Sequence, residues 1–286
     1  MATGRHIPTV ASARLARELR ARRERAGFNQ EIVAEEMGWA ESKLYRIEND
    51  KSRVLQRDVK RLLAMYGVDG QEADSLVELA RLAREPDWWH RYSGSIPKWF
   101  QVYVVSEATA SHIVGYESEL VPGIMQTRGY ARAVLTTTPV PEADEKVEER
   151  IIVRVTRQAR LTADEPLDVR FILNEAVVRR TVGGREIMRE QIEHLIRLAE
   201  LPNVTLQILP FAAGEHGAMH GAFKLLRFSG GDDADKVYIE QHIGSLSTQK
   251  PHEVGRYTLM FDHLRVQALG PEQTLAMLRE VAAALT

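Results

Sequence analysis

Residues Gln30 to Asn49, QEIVAEEMGWAESKLYRIEN, constrain this chain more than any other stretch of it. Val33 and Met37 in the first half, and Leu44 and Ile47 in the second, fall where two short crossing helices need their inner faces. Ala34 is small where a second helix must come close, and Gly38 supplies the permissive backbone that a sharp turn between helices requires. The second helix then turns Glu41, Ser42, Lys43, Tyr45 and Arg46 outward, a polar inventory able to reach base edges and phosphates. An ordinary helical hairpin with a solvated charged face is the alternative. It would have to place the alanine, the glycine and four apolar positions together by chance.

The stretch resembles the Cro/repressor-type helix-turn-helix family, also called the XRE type. In that family a Gln opens the first helix and the recognition helix runs into Glu-Asn-Gly; here the corresponding residues are Gln30 and Glu48-Asn49-Asp50. Asp50 departs from the glycine, although Asp tolerates a left-handed cap better than most residues. Ala40 departs from the Ser or Thr that commonly caps the recognition helix, and Glu41 is expected to compensate through the helix dipole. The resemblance implies double-stranded DNA as a partner. Carried over residue by residue, it puts Gln30 and Asn49 on phosphates and turns Glu41, Ser42, Lys43 and Arg46 toward the groove. Lys51 and Arg53, in the loop that follows, are placed to touch phosphate. One such helix covers only a half-site, so a homodimer on a pseudo-palindromic operator is expected.

At 286 residues the chain is too long for a lone DNA-binding module and long enough for two cores. Charge divides where the motif ends. Residues 1–61 hold 14 Lys+Arg against 9 Asp+Glu, a net of +5, and the other 225 residues hold 24 against 31, a net of −7. A basic head on an acidic body fits a protein that touches a polyanion with one end. Cysteine is absent, which removes disulfides, thiolate metal sites and cysteine nucleophiles together. No apolar run approaches ~18 residues and Met1 to Val10 lacks the apolar core of a signal peptide, so the expected compartment is cytoplasm, without membrane contact.

Along the chain, Ala11 to Ala26 reads as a helix with Leu15 and Leu19 inside and arginines around it, some expected to border the DNA backbone. Gln56 to Tyr66 and Gln71 to Arg84 complete a five-helix bundle. Pro86 stops the last helix, and Asp87 to Tyr103 holds three of the four tryptophans. Trp88, Trp89 and Trp99 are expected either to pack two domains together, and so couple them, or to form a ligand or partner surface. Beyond Ser106 helical periodicity in Glu142 to Leu161, Arg185 to Glu200, His252 to Leu269 and Pro271 to Leu285 alternates with strands in Leu167 to Leu173, Val204 to Leu209, Ala222 to Phe228 and Lys236 to Glu240. The expected architecture is multidomain: an all-α reader over residues 1–85, an aromatic junction over 86–105, and an α/β body over 106–286 with a mixed sheet and flanking helices.

Several phrases of the body resemble the C-terminal domain of a group of actinomycete regulators described as antitoxin-like or sporulation-regulator-like, the WhiJ type. They are ESELVPGIMQTRGYARAVL, RVTRQARL, the strand ending in Asn174-Glu175-Ala176, VGGREIMREQIEHLIRLAELPNVTLQILP, and HGAMHGAFKLLRF followed by VYIEQ. The resemblance implies a transcriptional regulator, with development among the processes it would control, whose C-terminal domain binds a small protein encoded by a neighbouring gene or another effector. It equally accommodates the antitoxin of a toxin–antitoxin pair that autoregulates its operon.

The chemically suggestive residues do not assemble into a catalytic constellation, so no enzyme, cofactor or metal is expected. His216 and His220 lie in a glycine-rich loop with no third ligand evident. Val182-Gly183-Gly184 precedes a helix but lacks both phosphate-binding fingerprints and reads as a turn. Glu240 and His242, with Glu175 elsewhere, form at most a candidate acid/base set without a nucleophile. Pro122-Gly123 reads as a tight turn before a Thr127-capped helix, with Pro122 and Gln126 on a candidate binding rim beside the aromatic junction.

Overall fold

A computed structural model describes residues 8–138, 142–228 and 235–285. Helix α1, Val10–Arg25, starts at a capping box in which Thr9 and Ser12 bond each other's backbone N–H. Asn29 caps α2, Gln30–Met37, and Gly38 ends it at φ 68, the left-handed conformation that only glycine adopts without strain. Three more helices follow: α3 Glu41–Glu48, α4 Gln56–Met65 and α5 Gly70–Leu82. Their inner faces meet in one core of Leu15, Leu19, Val33, Leu44, Ile47 and Leu62 with their neighbours. The expected five-helix bundle is therefore present, with ends within two residues of the periodicity.

The stretch expected as a junction is largely helical. Trp88–Tyr92 forms a 3-10 turn, and α6 runs from Lys98 to Thr109, so Ser106 lies inside a helix. By contacts the chain divides into two units, one holding residues up to Arg91 together with Gln101–Thr109, the other holding the remaining described residues.

The second unit is built on a six-stranded mixed sheet, which bears out the expected fold class. Its strands are β1 His112–Glu117, β2 Asp168–Asn174, β3 Val204–Leu209, β4 Phe223–Arg227, β5 Lys236–Gln241 and β6 Gly244–Thr248, in the order β3-β2-β1-β4-β5-β6. β1, β2 and β3 pair in parallel, while β4, β5 and β6 continue as an antiparallel meander. The parallel half needs helical crossovers. They are α7 Arg128–Thr136 and α8 Asp144–Arg157 between β1 and β2, then α9 Glu175–Arg179 and α10 Arg185–Leu198 between β2 and β3. Helices α11 Pro251–Gln267 and α12 Pro271–Ala284 follow the meander.

Both faces of the central strands are buried. Val114, Tyr116, Ile172, Phe223 and Leu225 pack with Phe261 and Leu264 of α11, and the alternate residues Ile113, Val169, Phe171 and Leu226 are buried as well. A strand buried on both sides reads as a continuous apolar run rather than an alternation. That explains why β1, HIVGYE, escaped the periodicity. β6, GSLST, escaped it because it has little apolar content to alternate. The helix expected to reach Leu161 gives way at Gln158 to a 3-10 turn.

Gly115 sits at the middle of β1, where a Cβ would lie 2.8 Å from the Phe171 ring and 2.9 Å from the Phe223 carbonyl oxygen. The carbonyl belongs to the paired backbone of β4 and cannot move alone. Gly115→Ala is expected to destabilise the second unit by about 1–3 kcal/mol through overpacking, read as a lower denaturant midpoint with an unchanged slope.

Candidate nucleic-acid interface

The recognition helix α3 is positioned from its buried side by one charged cluster. Glu48, at the end of α3, is 5 % exposed, and Arg23 of α1 is 7 % exposed. Arg23 Nε donates to Glu48 Oε1 at 2.6 Å, and its Nη2 donates to Oε2 at 3.0 Å. Gln30 Nε2, at the start of α2, donates to the same Oε2 at 2.6 Å, and Arg23 Nη1 donates to the Phe28 carbonyl at 2.8 Å. A fork-to-fork pair with its remaining donors satisfied is the geometry in which a buried charge is tolerable. Burial works to lower the Arg23 pKa, but the bond and charge of Glu48 outweigh it, so the pKa is raised and the guanidinium stays charged. Side chains of α1 and α2 thus converge on one carboxylate of α3.

This corrects one expectation and adds to another. Arg23 is not part of a solvated basic face bordering DNA; it is an interior residue. Gln30, expected on a phosphate, also holds Glu48 through its amide in the free protein. The signal was present in the sequence: Arg23 follows Leu15 and Leu19 at helical spacing, and Glu48 follows Leu44 by four, so both sit on apolar stripes.

The outer face of α3 carries the expected readers. Glu41, Ser42, Tyr45, Arg46 and Asn49 are exposed, as are Lys51 and Arg53 beyond the helix. Among the described residues Arg46 and Arg53 have no ion-pair partner. Lys43 is held back: its Nζ lies 3.6 Å from the centroid of the Trp39 ring and 3.7 Å from Asp58 Oδ2. Lys51 Nζ stands 5.0 Å over the Tyr45 ring and donates to the Tyr45 hydroxyl at 3.5 Å, and Asn49 Nδ2 donates to the Tyr45 carbonyl at 2.8 Å. The two departures from the family pattern have different outcomes. Asp50 adopts φ 49 and its carboxylate accepts from the Ser12 hydroxyl at 3.0 Å, so the side chain that a glycine would lack ties the end of α3 to the start of α1. Ala40 leaves the start of α3 without a side-chain cap.

The remaining candidates are placed less favourably. Trp89 is 1 % exposed, with Trp88 edge-on at 5.7 Å and His90 stacked at 5.4 Å, so it cannot offer a surface contact. Trp99 is half-buried and edge-on to Phe100 at 5.9 Å. The binding rim is corrected outright. Pro122 and Gln126 are buried; the Gln126 amide donates to the Val121 carbonyl at 2.7 Å and accepts from Arg154 Nη1 at 2.7 Å. The expected Thr127 cap of α7 is present, accepting from Tyr130 N–H, while Gln191 of α10 accepts from Thr127 N–H at 2.7 Å and donates to the Met125 carbonyl at 2.8 Å. That loop is a packed structural turn.

Glu175 and Glu240 are kept apart by the strand order. Glu175 opens α9 just past the end of β2 and Glu240 lies on β5, and β1 and β4 stand between those two strands, a separation of roughly 14 Å at the usual strand spacing. Burial opposes ionisation of Glu175, but the Phe211 N–H and Arg179 overcome it and hold the carboxyl below its usual range. His216 rests edge-on against the Tyr116 ring at 5.3 Å, its Nδ1 accepting from Ala218 N–H, and burial lowers its pKa; His220 is exposed. Among the described residues no group of His, Cys, Asp and Glu could hold a metal ion. Gly183 and Gly184 have φ 72 and 95, and a Cβ on Gly183 would meet Ala133 and Ile187 of neighbouring helices, so this is a close-packed turn.

Residues 100–280 match the family model described as a domain of unknown function (DUF5753), well over half of the chain. The chain belongs to the DUF5753 family. Residues 14–76 match the model of a helix-turn-helix domain. This DUF5753 protein therefore carries a helix-turn-helix head, which implies DNA binding and transcriptional regulation as its broad role. No curated protein and no solved structure matches it. Among the described residues no helix is long and apolar enough to cross a membrane.

Arg23→Met strands a buried carboxylate and is expected to cost about 3–5 kcal/mol of stability, while the double variant Arg23→Met, Glu48→Leu recovers most of that loss in denaturant titrations. Ala40→Ser supplies the missing acceptor and is expected to stabilise the head by about 0.5–2 kcal/mol, seen as a higher Tm.

Proposed function

We propose that the protein is a sequence-specific transcriptional regulator of the XRE type, which reads operator DNA with α3 and responds through its DUF5753 body to a small protein encoded nearby. The observation that carries the reading is the asymmetry of α3. Arg23 and Gln30 clamp its inner side through Glu48, while Ser42, Tyr45 and Arg46 stand exposed on a helix whose end is fixed. A rigid helix with a clamped back presents its outer side chains in one register, and direct readout of a major groove demands that. Arg46 is the chief base reader. Glu41, Ser42 and Lys43 face the groove with it, and Asn49, Lys51 and Arg53 serve the phosphates. Lys43 must leave Trp39 and Asp58 to do so, which subtracts from its contribution.

The regulator acts as a homodimer in the cytoplasm on a pseudo-palindromic operator, without catalytic activity or cofactor. The body's phrases resemble those of antitoxin-like regulators, and this supports the neighbouring gene product as the partner. A second reading, the antitoxin of a toxin–antitoxin pair, shares that support. It separates by genetics, because deletion would then be tolerated only in strains that also lack the neighbour.

Arg46→Ala is expected to cost about 1–3 kcal/mol of operator affinity with little effect on non-specific DNA. Unchanged operator affinity and salt dependence in Arg46→Ala, Lys43→Ala would remove α3 as the reader. Footprinting is expected to show two protected half-sites one helical turn apart.

A further inference from the structure

The two edges of the sheet are treated differently. At the β3 edge, Leu269 N–H donates to the Ile208 carbonyl at 2.8 Å, Ile208 N–H donates to the Thr274 hydroxyl at 3.1 Å, and the Gln207 amide bonds the Leu269 carbonyl at 3.0 Å. The segment joining α11 to α12 thus occupies the backbone groups of that edge. At the other edge, among the described residues, nothing pairs with the outer side of β6. Proteins usually blunt such an edge with lysine, proline or a bulge. Gly244–Thr248 contains no charge and no proline. Ile243, in the turn before it, is 96 % exposed, and Leu246 at its centre is 60 % exposed.

The register defines what this edge can accept. Gln241 and Gly244 flank a two-residue turn and so form a hydrogen-bonded pair, which makes Ile239–Leu246 and Val237–Thr248 hydrogen-bonded pairs too. Ser245 and Ser247 therefore point their N–H and C=O groups away from β5. Leu246 shares the sheet face of its cross-strand partner Ile239, which packs against the α11 core.

We propose that β6 is the seam of the homodimer, pairing antiparallel with β6 of a second copy about a twofold axis at Leu246. The inference rests on the dimeric reading above and gives it a surface. In this register Ser245 of each copy exchanges both backbone hydrogen bonds with Ser247 of the other. Leu246 then meets its own mate in the closer, non-hydrogen-bonded position, and the apolar layer under α11 continues across the seam. A second copy is the occupant because the edge is self-complementary in bonds, parity and apolar contact, and because it bears no charge with which to select a foreign strand. An isologous contact of this kind closes at two. Five residues a side bury little area beside the ~1,200 Å² of a stable interface, so the dimer is weak alone and tightens when both heads hold one operator.

Sedimentation velocity on the full chain without DNA tests this. The wild type is expected to show a reversible monomer–dimer equilibrium over the micromolar range. Ser247→Pro removes an outward N–H that β5 does not use, and Leu246→Lys places like charges face to face on the axis. Both variants are expected to stay monomeric over the same range with unchanged circular dichroism, and to lose the cooperative part of binding to a two-half-site operator while keeping affinity for one half-site. Should the proline variant misfold, the lysine variant decides. Wild-type dimers that persist in Leu246→Lys, or a wild type that is monomeric throughout, would overturn the seam. Failure of the DNA reading looks different, because it abolishes half-site binding and leaves the sedimentation equilibrium as it was.

Discussion

Everything the head does depends on the Glu48 carboxylate being held by Arg23 and Gln30. The pair is not chiefly a source of stability, since two charges taken from water recover most of their desolvation cost from each other and little more. What it fixes is geometry. Arg23 comes from α1, Gln30 from the start of α2, and Glu48 from the end of α3. Apolar packing of Val33, Met37, Leu44 and Ile47 would allow α3 to slide or rotate by small amounts. A bidentate guanidinium does not, because its two bonds are lost together when the helix turns. The Asp50 bond to Ser12 acts in the same direction at the same end.

The consequence of that placement is a division of labour along α3. Its last residues belong to the interior and its first turn belongs to solvent. The first turn is the less restrained of the two, since Ala40 gives its free N–H groups no side-chain acceptor. Lys43 N–H turns back to the Ala40 carbonyl at 2.8 Å, and a phosphate beside the remaining first-turn N–H groups would be favoured by both the dipole and those donors. The missing cap therefore lowers stability at a point where an anion is expected to arrive.

Much of the head was legible in the sequence, because local rules decide it. The glycine turn, the helix spacings and the apolar faces of Leu15, Leu19, Val33 and Leu44 need no distant partner to be recognised. The Arg23–Glu48 pair was less legible. Each residue sits on an apolar stripe, but which charge meets which across 25 positions depends on how the helices cross. In the body, β2 announced itself through the alternation Leu167-Asp168-Val169-Arg170-Phe171 that leads into its buried end, and β3 alternates likewise, whereas β1 is buried from Ile113 to Glu117 and has no exposed positions in that run to mark a period. Gln126 was misplaced for a related reason: an amide in a Pro-Gly loop looks solvent-exposed until Arg154 and the Val121 carbonyl are known to enclose it. The body's family membership rests on the match over residues 100–280, whereas periodicity supplied only its fold class.

A single reading helix has a limited energetic reach, and this bears on the architecture as a whole. Each good base contact discriminates by about 1–3 kcal/mol, and α3 offers few side chains able to make one. Arg46 is unencumbered among the described residues, but Lys43 begins from a cation–π contact worth about 0.5–1 kcal/mol at an exposed site, which must be given up first. One head therefore falls short of the roughly 4–10 kcal/mol that separates an operator from bulk DNA. Two heads on one operator reach it without any stronger contact, provided something other than the reading helices holds the copies together. A sheet with one edge occupied by its own chain and the other unpaired among the described residues offers a place for that. A weak seam suits the purpose, because a dimer that forms fully only on paired half-sites makes recognition depend on both being present.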